Sequence, residues 1–556
     1  MHRRLVLSSI ILPVALIAAL YLALSGRSPG LASAQIVPGA AQESTVHSAC
    51  TAMAAGAAFT AAIPSDAMTL DPALMTDSRS FLVTAQLYDT LTTYQPGGSV
   101  PMPGLADNWI VSPDGKTWTF NLHPGVKFHD GTNLDAAAVA YNFNRWWDPA
   151  HPAHNGSFDY FVYLFGGFKG DAGSLIAGVA ALNATQFQMT LTTAFSPLPS
   201  VLAMPTFAIA SPAAIQAGTL MTTPIGSGPF KFVEWAPGNH IRLTAHPDYW
   251  LSRPRLDELT FAMIVPGADR LAALQNNAVQ SADSFSPSEL AAAGSDPNLR
   301  VLWRPSTALG YLGINRAHAP LGNPQVRQAI AHAIRQQNLI NNFYLPGTEV
   351  ATQFLPSGIW GRDPGITGYT YDPALARSLL AQAGFPNGFT TTLAYRAVFR
   401  QYLPNPVNTA FAIAADLRSV GITVTLVVYE SGTFLTKAAN GELDLFLLGW
   451  GADYLHPDNF FNPILCEGYL AFGPKDDTLC TQVQATLAEL NFGNQLAQYQ
   501  WSSRRVSDTL PLLPLAHSRS AVVVRSNVAG LLPSPISAEA YRGVFFVNVY
   551  LPLILK

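Results

Sequence analysis

The apolar residues of this chain fall into two rhythms. From about 58 to 304, short apolar runs alternate with turn signals, most clearly in "SPDGKTWTFNLHPGVKFHDGT". There Asp114–Gly115 predicts a tight turn, Thr117–Leu122 alternates as a half-buried strand, and Pro124–Gly125 turns the chain again. "DAAAVAYNFNRWWDP" then predicts a helix capped by Asp135 and stopped before Pro149. From about 305 the pattern changes. "YLGIN" at 311–315 predicts a strand, and "NPQVRQAIAHAIRQQNLINNF" a helix with Asn323 as N-cap, Pro324 at its first position and Val326, Ile330 and Ile334 on one face. "YDPALARSLLAQAGFPNG" repeats the formula with Asp372, Pro373 and a C-terminal stop at Gly384. Strand "TTLAY", helix "VNTAFAIAADLRSVG", strand "ITVTLVVYE", helix "GTFLTKAANGE" and strand "LDLFLLGW" complete the series. Strands alternating with helices predict a parallel sheet covered on both faces. The fold class is α/β: a β-rich lobe, an α/β lobe, and a cleft between them.

The last of these strands ends unusually. Leu445–Phe446–Leu447–Leu448 runs into Gly449–Trp450–Gly451 and then delivers a carboxylate, Asp453. An acid just past the carboxyl end of a buried strand lies where open α/β sheets place their ligands.

At 556 residues the chain exceeds one core, and two to four domains are expected. Charged residues are only 12% of the chain and hydrophobic ones 49%, which argues for large cores and against disorder. A net charge of −4 with no basic stripe gives no electrostatic case for nucleic acid. The N-terminus is more telling. "MHRR" precedes the apolar stretch Leu5–Leu24, and "ASA" at 32–34 has the small-x-small form of a signal cleavage site. The stretch is equally long enough to span a bilayer uncleaved, so signal peptide and retained anchor both stand. Either exports the remaining chain. Residues 35–57, small and polar without period, read as a linker. In an oxidising compartment Cys466 and Cys480, 14 positions apart, fit a disulfide closing a surface loop, against the alternative of two free buried thiols. Cys50 is left over, and its "VHSAC" context does not suit lipidation.

No catalytic pattern assembles. "GRSPG" at 26–30 fits a nucleophile elbow in form but lies in the export segment with no strand before it. "HPAH" at 151–154 is broken by Pro152, and "PIGSGPF" at 224–230 lacks the lysine and helix of a phosphate loop.

Several long blocks together are diagnostic. "LDPALMTDSRSFLVTAQLYDTLTTY", "PGLADNWIVSPDGKTWTFNLHPGVKFHDGTNLDAAAVAYNFNR", "PIGSGPFKFVEWAPGNHIRLTAHPDYW" and "NPQVRQAIAHAIRQQNLI" occur in that order. In this the chain resembles the extracytoplasmic solute-binding proteins of ABC transporters, peptide-binding family 5, which includes dipeptide- and oligopeptide-binding proteins. The resemblance implies a two-lobed periplasmic-binding-protein-like fold of type II, the large peptide-binding class, with an extra β-rich subdomain in the first lobe. The implied layout is a signal peptide or membrane anchor over 1–34, the linker over 35–57 and lobe I over 58–304 with the extra subdomain at about 100–225. Lobe II occupies 305–516, and 517–556 returns to lobe I. The resemblance further implies a monomer that performs no chemistry, needs no cofactor or metal, encloses a peptide between its lobes and delivers it to permease subunits in the membrane.

Individual residues are assigned by the same resemblance. Asp453 falls where dipeptide-binding relatives place the acid that pairs with the ligand's α-ammonium. "RQYLPNP" resembles the stretch whose arginine takes the dipeptide carboxylate, here Arg400, with Arg396 as the alternative. A fixed anion and a planar guanidinium suit the two ends of a zwitterion. Asp453 as the cap of a helix starting near Pro457 is the competing reading. Trp450, Gly451, Tyr402 and Tyr454 belong to the expected binding region, though aromatics beside an apolar strand equally build core. Backbone around Met75–Ser78, Met75 and Thr76 first, is expected to meet the peptide main chain. Members of this fold diverge in cargo, so a metal chelate, haem or an oligosaccharide is the alternative, with His456 the one histidine near the site. A membrane-anchored hydrolase and a ligand-sensing anchor for a signalling partner are the readings from other classes.

Overall fold

The structure, a computed structural model, describes residues 57–467 and 470–547. The apolar segment Leu5–Leu24, the "GRSPG" motif, Cys50 and nearly all of the linker lie outside the described residues. Among those described, no helix is long and apolar enough to cross a membrane.

Three sheets organise the molecule. A seven-stranded sheet runs in the order Leu299–Trp303, Ala521–Arg525, Ser281–Asp283, Ala58–Ile63, Glu258–Met263, His240–Ala245, Phe230–Ala236. A six-stranded sheet runs Glu349–Val350, Leu512–Ser518, Ala308–Ile314, Leu445–Gly451, Thr390–Tyr395, Thr423–Val428. Each is the centre of a lobe. The third, an antiparallel four-stranded sheet, comprises Ala106–Val111, Thr117–Leu122, Gln186–Leu191 and Ile176–Asn183. Inward residues of its strands (Trp118, Phe120, Phe187) pack on Phe143 and Trp146 of the helix Ala136–Trp147. That helix starts where Asp135 accepts a hydrogen bond from the Ala138 amide at 2.9 Å. Asn323 and Asp372 cap the helices Pro324–Ala333 and Pro373–Gln382 in the same way, and Gly384 takes φ +91° just beyond the second. The single helix expected after Asn323 is two: Ile334 is extended, the Arg335 amide donates to Asp416 Oδ2 at 2.9 Å, and a second helix, Gln336–Phe343, follows.

The chain passes between the lobe sheets twice, at 304–307 and at 519–520. The two crossings are tied to each other: Arg304 N–H donates to Ser520 O at 2.9 Å and Ser306 Oγ to Ser518 O at 2.8 Å. This arrangement overturns the expectation of a wholly parallel second sheet. Leu445–Gly451, Thr390–Tyr395 and Thr423–Val428 are mutually parallel, but Ala308–Ile314 pairs antiparallel with both Leu445–Gly451 and Leu512–Ser518. The reason is topological. Ala308–Ile314 carries the chain into the lobe and Leu512–Ser518 carries it out through the same neck, so they run in opposite directions.

The sheet is buried on both faces, as its apolar runs require. Leu445 and Leu447 enter one core with Leu312, Ile314 and Ile330; Phe446 enters the other with Tyr311, Phe434 and Phe472. Cys466 and Cys480 form a disulfide with Cα atoms 5.4 Å apart. Both are buried, so the bridge fastens core rather than a surface loop.

Candidate functional site

Parallel neighbours end at the same edge of a sheet. Thr390–Tyr395 and Leu445–Gly451 are in register at Leu393 with Leu445 and Ala394 with Phe446, so the segments leaving the two strands emerge side by side. The first segment begins with Arg396 and the second carries Asp453. Both residues line a cavity of about 330 Å³, together with Tyr311, Tyr402, Leu435, Ala438, Leu448, Trp450, Pro463, Ile464, Ala471 and Phe472.

The two glycines flanking Trp450 do different work. A Cβ on Gly449 would lie 2.3 Å from Cδ2 of Tyr402 and 2.4 Å from the Leu309 carbonyl, so the bare backbone there is what lets the tyrosine ring press on the strand. Gly451 is exposed and a Cβ on it would meet nothing, so it keeps open space beside the cavity rather than a packing contact.

Asp453 is held from two directions. Asn459, from the short helix Asp458–Phe461, accepts from the Asp453 amide at 2.8 Å and donates Nδ2 to Oδ2 at 3.4 Å. From the first lobe, Tyr160 donates its hydroxyl to Oδ1 at 3.3 Å. Burial pushes the Asp453 carboxyl above its ordinary range, and the bonds from Asn459 and Tyr160 pull part of the way back. The acid caps no helix: Pro457 is the N-cap residue of Asp458–Phe461, without a side-chain cap bond. Arg396, only 8% exposed, donates Nη2 to the Tyr402 hydroxyl at 3.1 Å and sits with Cζ 5.3 Å from the centre of the Phe434 ring. Among the described residues neither Arg396 nor Asp453 forms an ion pair. A buried cation and a half-buried acid thus face one cavity without an ion-pair partner among the described residues.

Of the residues the sequence singled out, the structure brings Asp453, Trp450, Gly451 and Tyr402 together around this cavity. It does not bring Arg400 there. The chain leaves the sheet at Tyr395 and turns back through an Arg400–Leu403 bridge, which puts Arg400 at an exposed tip with Nη1 donating to the Phe399 carbonyl. Tyr454 is core: its ring packs with first-lobe residues and its hydroxyl donates to Asp458 Oδ2 at 2.8 Å. Met75 is buried with its sulfur accepting from Thr84 Oγ1, while Thr76 is exposed, and neither lines the cavity. His456 is buried against Trp360 and Tyr499, and burial lowers its pKa to about 3, so it is neutral there. Tyr160 and Asn459 had no signal in the sequence; the first lies 293 positions from the acid it touches.

Comparison with known proteins agrees with this architecture. Residues 100–470 match the profile of the bacterial extracellular solute-binding proteins, family 5 (middle). The chain is 31% identical to the dipeptide-binding protein of Escherichia coli K12, across 85% of this chain and 92% of that one. It is 30% identical to the heme-binding protein A of Haemophilus influenzae, across 85% and 89%. Among solved structures, HbpA2 from Haemophilus parasuis superposes with a TM-score of 0.84 at 29% identity, across 88% of this chain and all of that one, 100%. With two lobes, a double crossing between them and a cavity at the strand ends of the second, the chain belongs to family 5 of the bacterial extracellular solute-binding proteins.

Proposed function

We infer that this protein is the extracytoplasmic receptor of an ABC transporter and that it carries short peptides. It binds them without chemical change and presents them to membrane permease subunits, after export by its N-terminal apolar segment. Asp453 takes the peptide's ammonium group and Arg396 its carboxylate. The observation that carries this reading is the pair of opposite charges, one buried and one half-buried, lining one cavity with no ion-pair partner among the described residues: a zwitterion supplies both missing counter-charges at once. Each charge-assisted contact contributes roughly 1.5–3 kcal/mol net, so two form a large share of the ~8 kcal/mol of a micromolar complex. A volume of about 330 Å³ is at the small end for ligand pockets, which favours peptides of two or three residues. Dipeptide binding also agrees with the family relative from Escherichia coli.

The test is calorimetric titration with dipeptides and with the same dipeptides acetylated at the amine or amidated at the carboxylate. Zwitterions should bind and both blocked forms should lose at least about tenfold, the loss of one charge-assisted contact. Equal binding of blocked and free forms would remove the proposal. Haem is the second reading, supported by the heme-binding relative. A Soret shift on adding haemin, undisturbed by excess dipeptide, would favour it.

A further inference from the structure

The charges occupy little of the cavity. Its remaining wall is apolar: Leu435 and Ala438 from the helix Ser431–Ala439, Leu448 and Trp450 from the strand, and Ile464 and Phe472 from the segments flanking Cys466. Phe472 packs its ring 5.5 Å from Phe446 and 5.9 Å from Tyr311, so this wall continues into the aromatic core of the lobe and is fixed by it. Arg396 leans on Phe434 of the same core, which keeps its head at the wall rather than across the space. Ala438 and Ala471 are almost wholly buried, yet both border the cavity. Small side chains at these two places leave room that leucine or phenylalanine would fill.

We propose that the cavity is a side-chain compartment that selects peptides carrying a bulky apolar or aromatic residue, with Ala438 setting its depth. The inference rests on the peptide reading above. A dipeptide held at both ends by charges lining one cavity presents a side chain to these walls. A lysine or glutamate side chain there would be stripped of water and find only Asp453 or Arg396, already engaged by the peptide's ends. An alanine side chain would leave the wall unfilled, whereas phenylalanine, leucine or methionine covers it.

The experiment titrates the full chain with Ala-Ala, Ala-Phe, Phe-Ala, Ala-Lys and Ala-Glu. It adds N-acetylphenylalanine amide, uncharged at both ends, monitored by tryptophan fluorescence. At least one phenylalanine peptide should bind about tenfold or more tighter than Ala-Ala, the step expected from filling an apolar pocket, and the lysine and glutamate peptides no tighter than Ala-Ala. Ala438→Leu should erase the phenylalanine advantage over Ala-Ala. Gly451→Leu, at an exposed position with open space, tests the same point if the buried variant does not fold, by weakening the phenylalanine peptides most. Equal affinities for Ala-Ala and both phenylalanine peptides would overturn the proposal, as would an undiminished advantage in the variants. If no dipeptide binds but the uncharged probe does, and Gly451→Leu blocks it, the apolar compartment stands and the peptide reading falls. Silence of both probe classes overturns the compartment as well.

Discussion

The Tyr160 hydroxyl, carried by the first lobe, donates to Oδ1 of Asp453 in the second at 3.3 Å. Tyr160 sits on the helix Asp159–Phe165, with its ring 5.9 Å from Phe81 of the helix Ser78–Leu87. The first lobe therefore reaches the acid of the cavity through a supported side chain. The bond favours the ionised acid, which is the form an ammonium group needs. Tyr160→Phe should weaken dipeptide binding by roughly fivefold, about 1 kcal/mol for a long hydrogen bond to a charged group. Calorimetry at neutral pH checks this; unchanged affinity would show that the contact is incidental to binding.

Asp453 ties affinity to pH. Burial raises its pKa above the usual carboxylate value, and only the ionised form pairs with an ammonium. Dipeptide affinity should therefore be full above that raised pKa and fall as pH is lowered through it, with protons released on binding in the same window. Asp453→Asn should bind at least about tenfold more weakly at neutral pH, and its affinity should be flat across this window. A variant profile that still tracks the wild type would assign the titration to another group.

The two arginines of the 396–400 stretch should separate cleanly. Arg396 is buried in the cavity wall and Arg400 is exposed at a turn tip. Arg396→Ala should cost ~1.5–3 kcal/mol of dipeptide affinity, and Arg400→Ala less than ~0.5 kcal/mol. The reverse order in titrations would move the carboxylate site to the tip.

This contrast marks how far the sequence can be read. Caps and alternation are local, so the strand Thr117–Leu122 and the starts of the helices after Asp135, Asn323 and Asp372 were legible from a few residues each, whereas the break at Ile334–Arg335, held by Asp416 from 81 positions away, was not. The placing of Asp453 and Trp450 beside a cavity stems from the apolar strand before them, also a local feature. Strand direction was not legible, because Ala308–Ile314 is antiparallel to its neighbours for a reason seated in the two lobe crossings. Nor was the choice between Arg396 and Arg400: the strand end at Tyr395 was read, but the turn back through the Arg400–Leu403 bridge, which leaves Arg400 exposed, has no local signal. Tyr160 and Asn459 depend wholly on tertiary approach.

Asp458 makes stability depend on pH. It is buried, one oxygen accepts from Tyr454, and the other has no hydrogen-bond partner among the described residues. Burial pushes its pKa up to about 7. An unfolded aspartate titrates near 3.9, so the folded state holds this proton more tightly. Its contribution to stability is full below about pH 4 and is lost as pH rises towards 7, by up to ~4 kcal/mol. Asp458→Asn should remove this loss, so its stability relative to the wild type should rise between pH 4 and 7. Urea melts at several pH values measure the difference; parallel curves would show that Asp458 is ionised throughout.

Arg304 pins the lobe crossings by charge. Its Nε and Nη2 donate to the two oxygens of Glu539 at 2.6 and 3.0 Å, Nη2 also reaches Asp283 at 3.0 Å, and Asp283 in turn pairs with Arg79. All of Arg304, Glu539 and Asp283 are buried. Beside it the backbone of Arg304 is bonded to Ser520 of the returning crossing and its carbonyl accepts from Arg519 Nε at 3.0 Å. Breaking such a pair from one side leaves a buried charge short of its partner, which costs about 3–5 kcal/mol. Glu539→Gln keeps the shape and a carbonyl acceptor, so its cost should fall at or below the low end, near ~3 kcal/mol. Arg304→Ala exposes both acids to an empty space and should cost more. The double variant Arg304→Met with Glu539→Leu removes both charges and should recover part of the loss, unless Asp283 then lacks enough compensation from Arg79. Denaturant melts of the three variants decide the matter: equal losses in the single and double variants would mean that packing at the crossing, and not the charge pair, holds the two strands together.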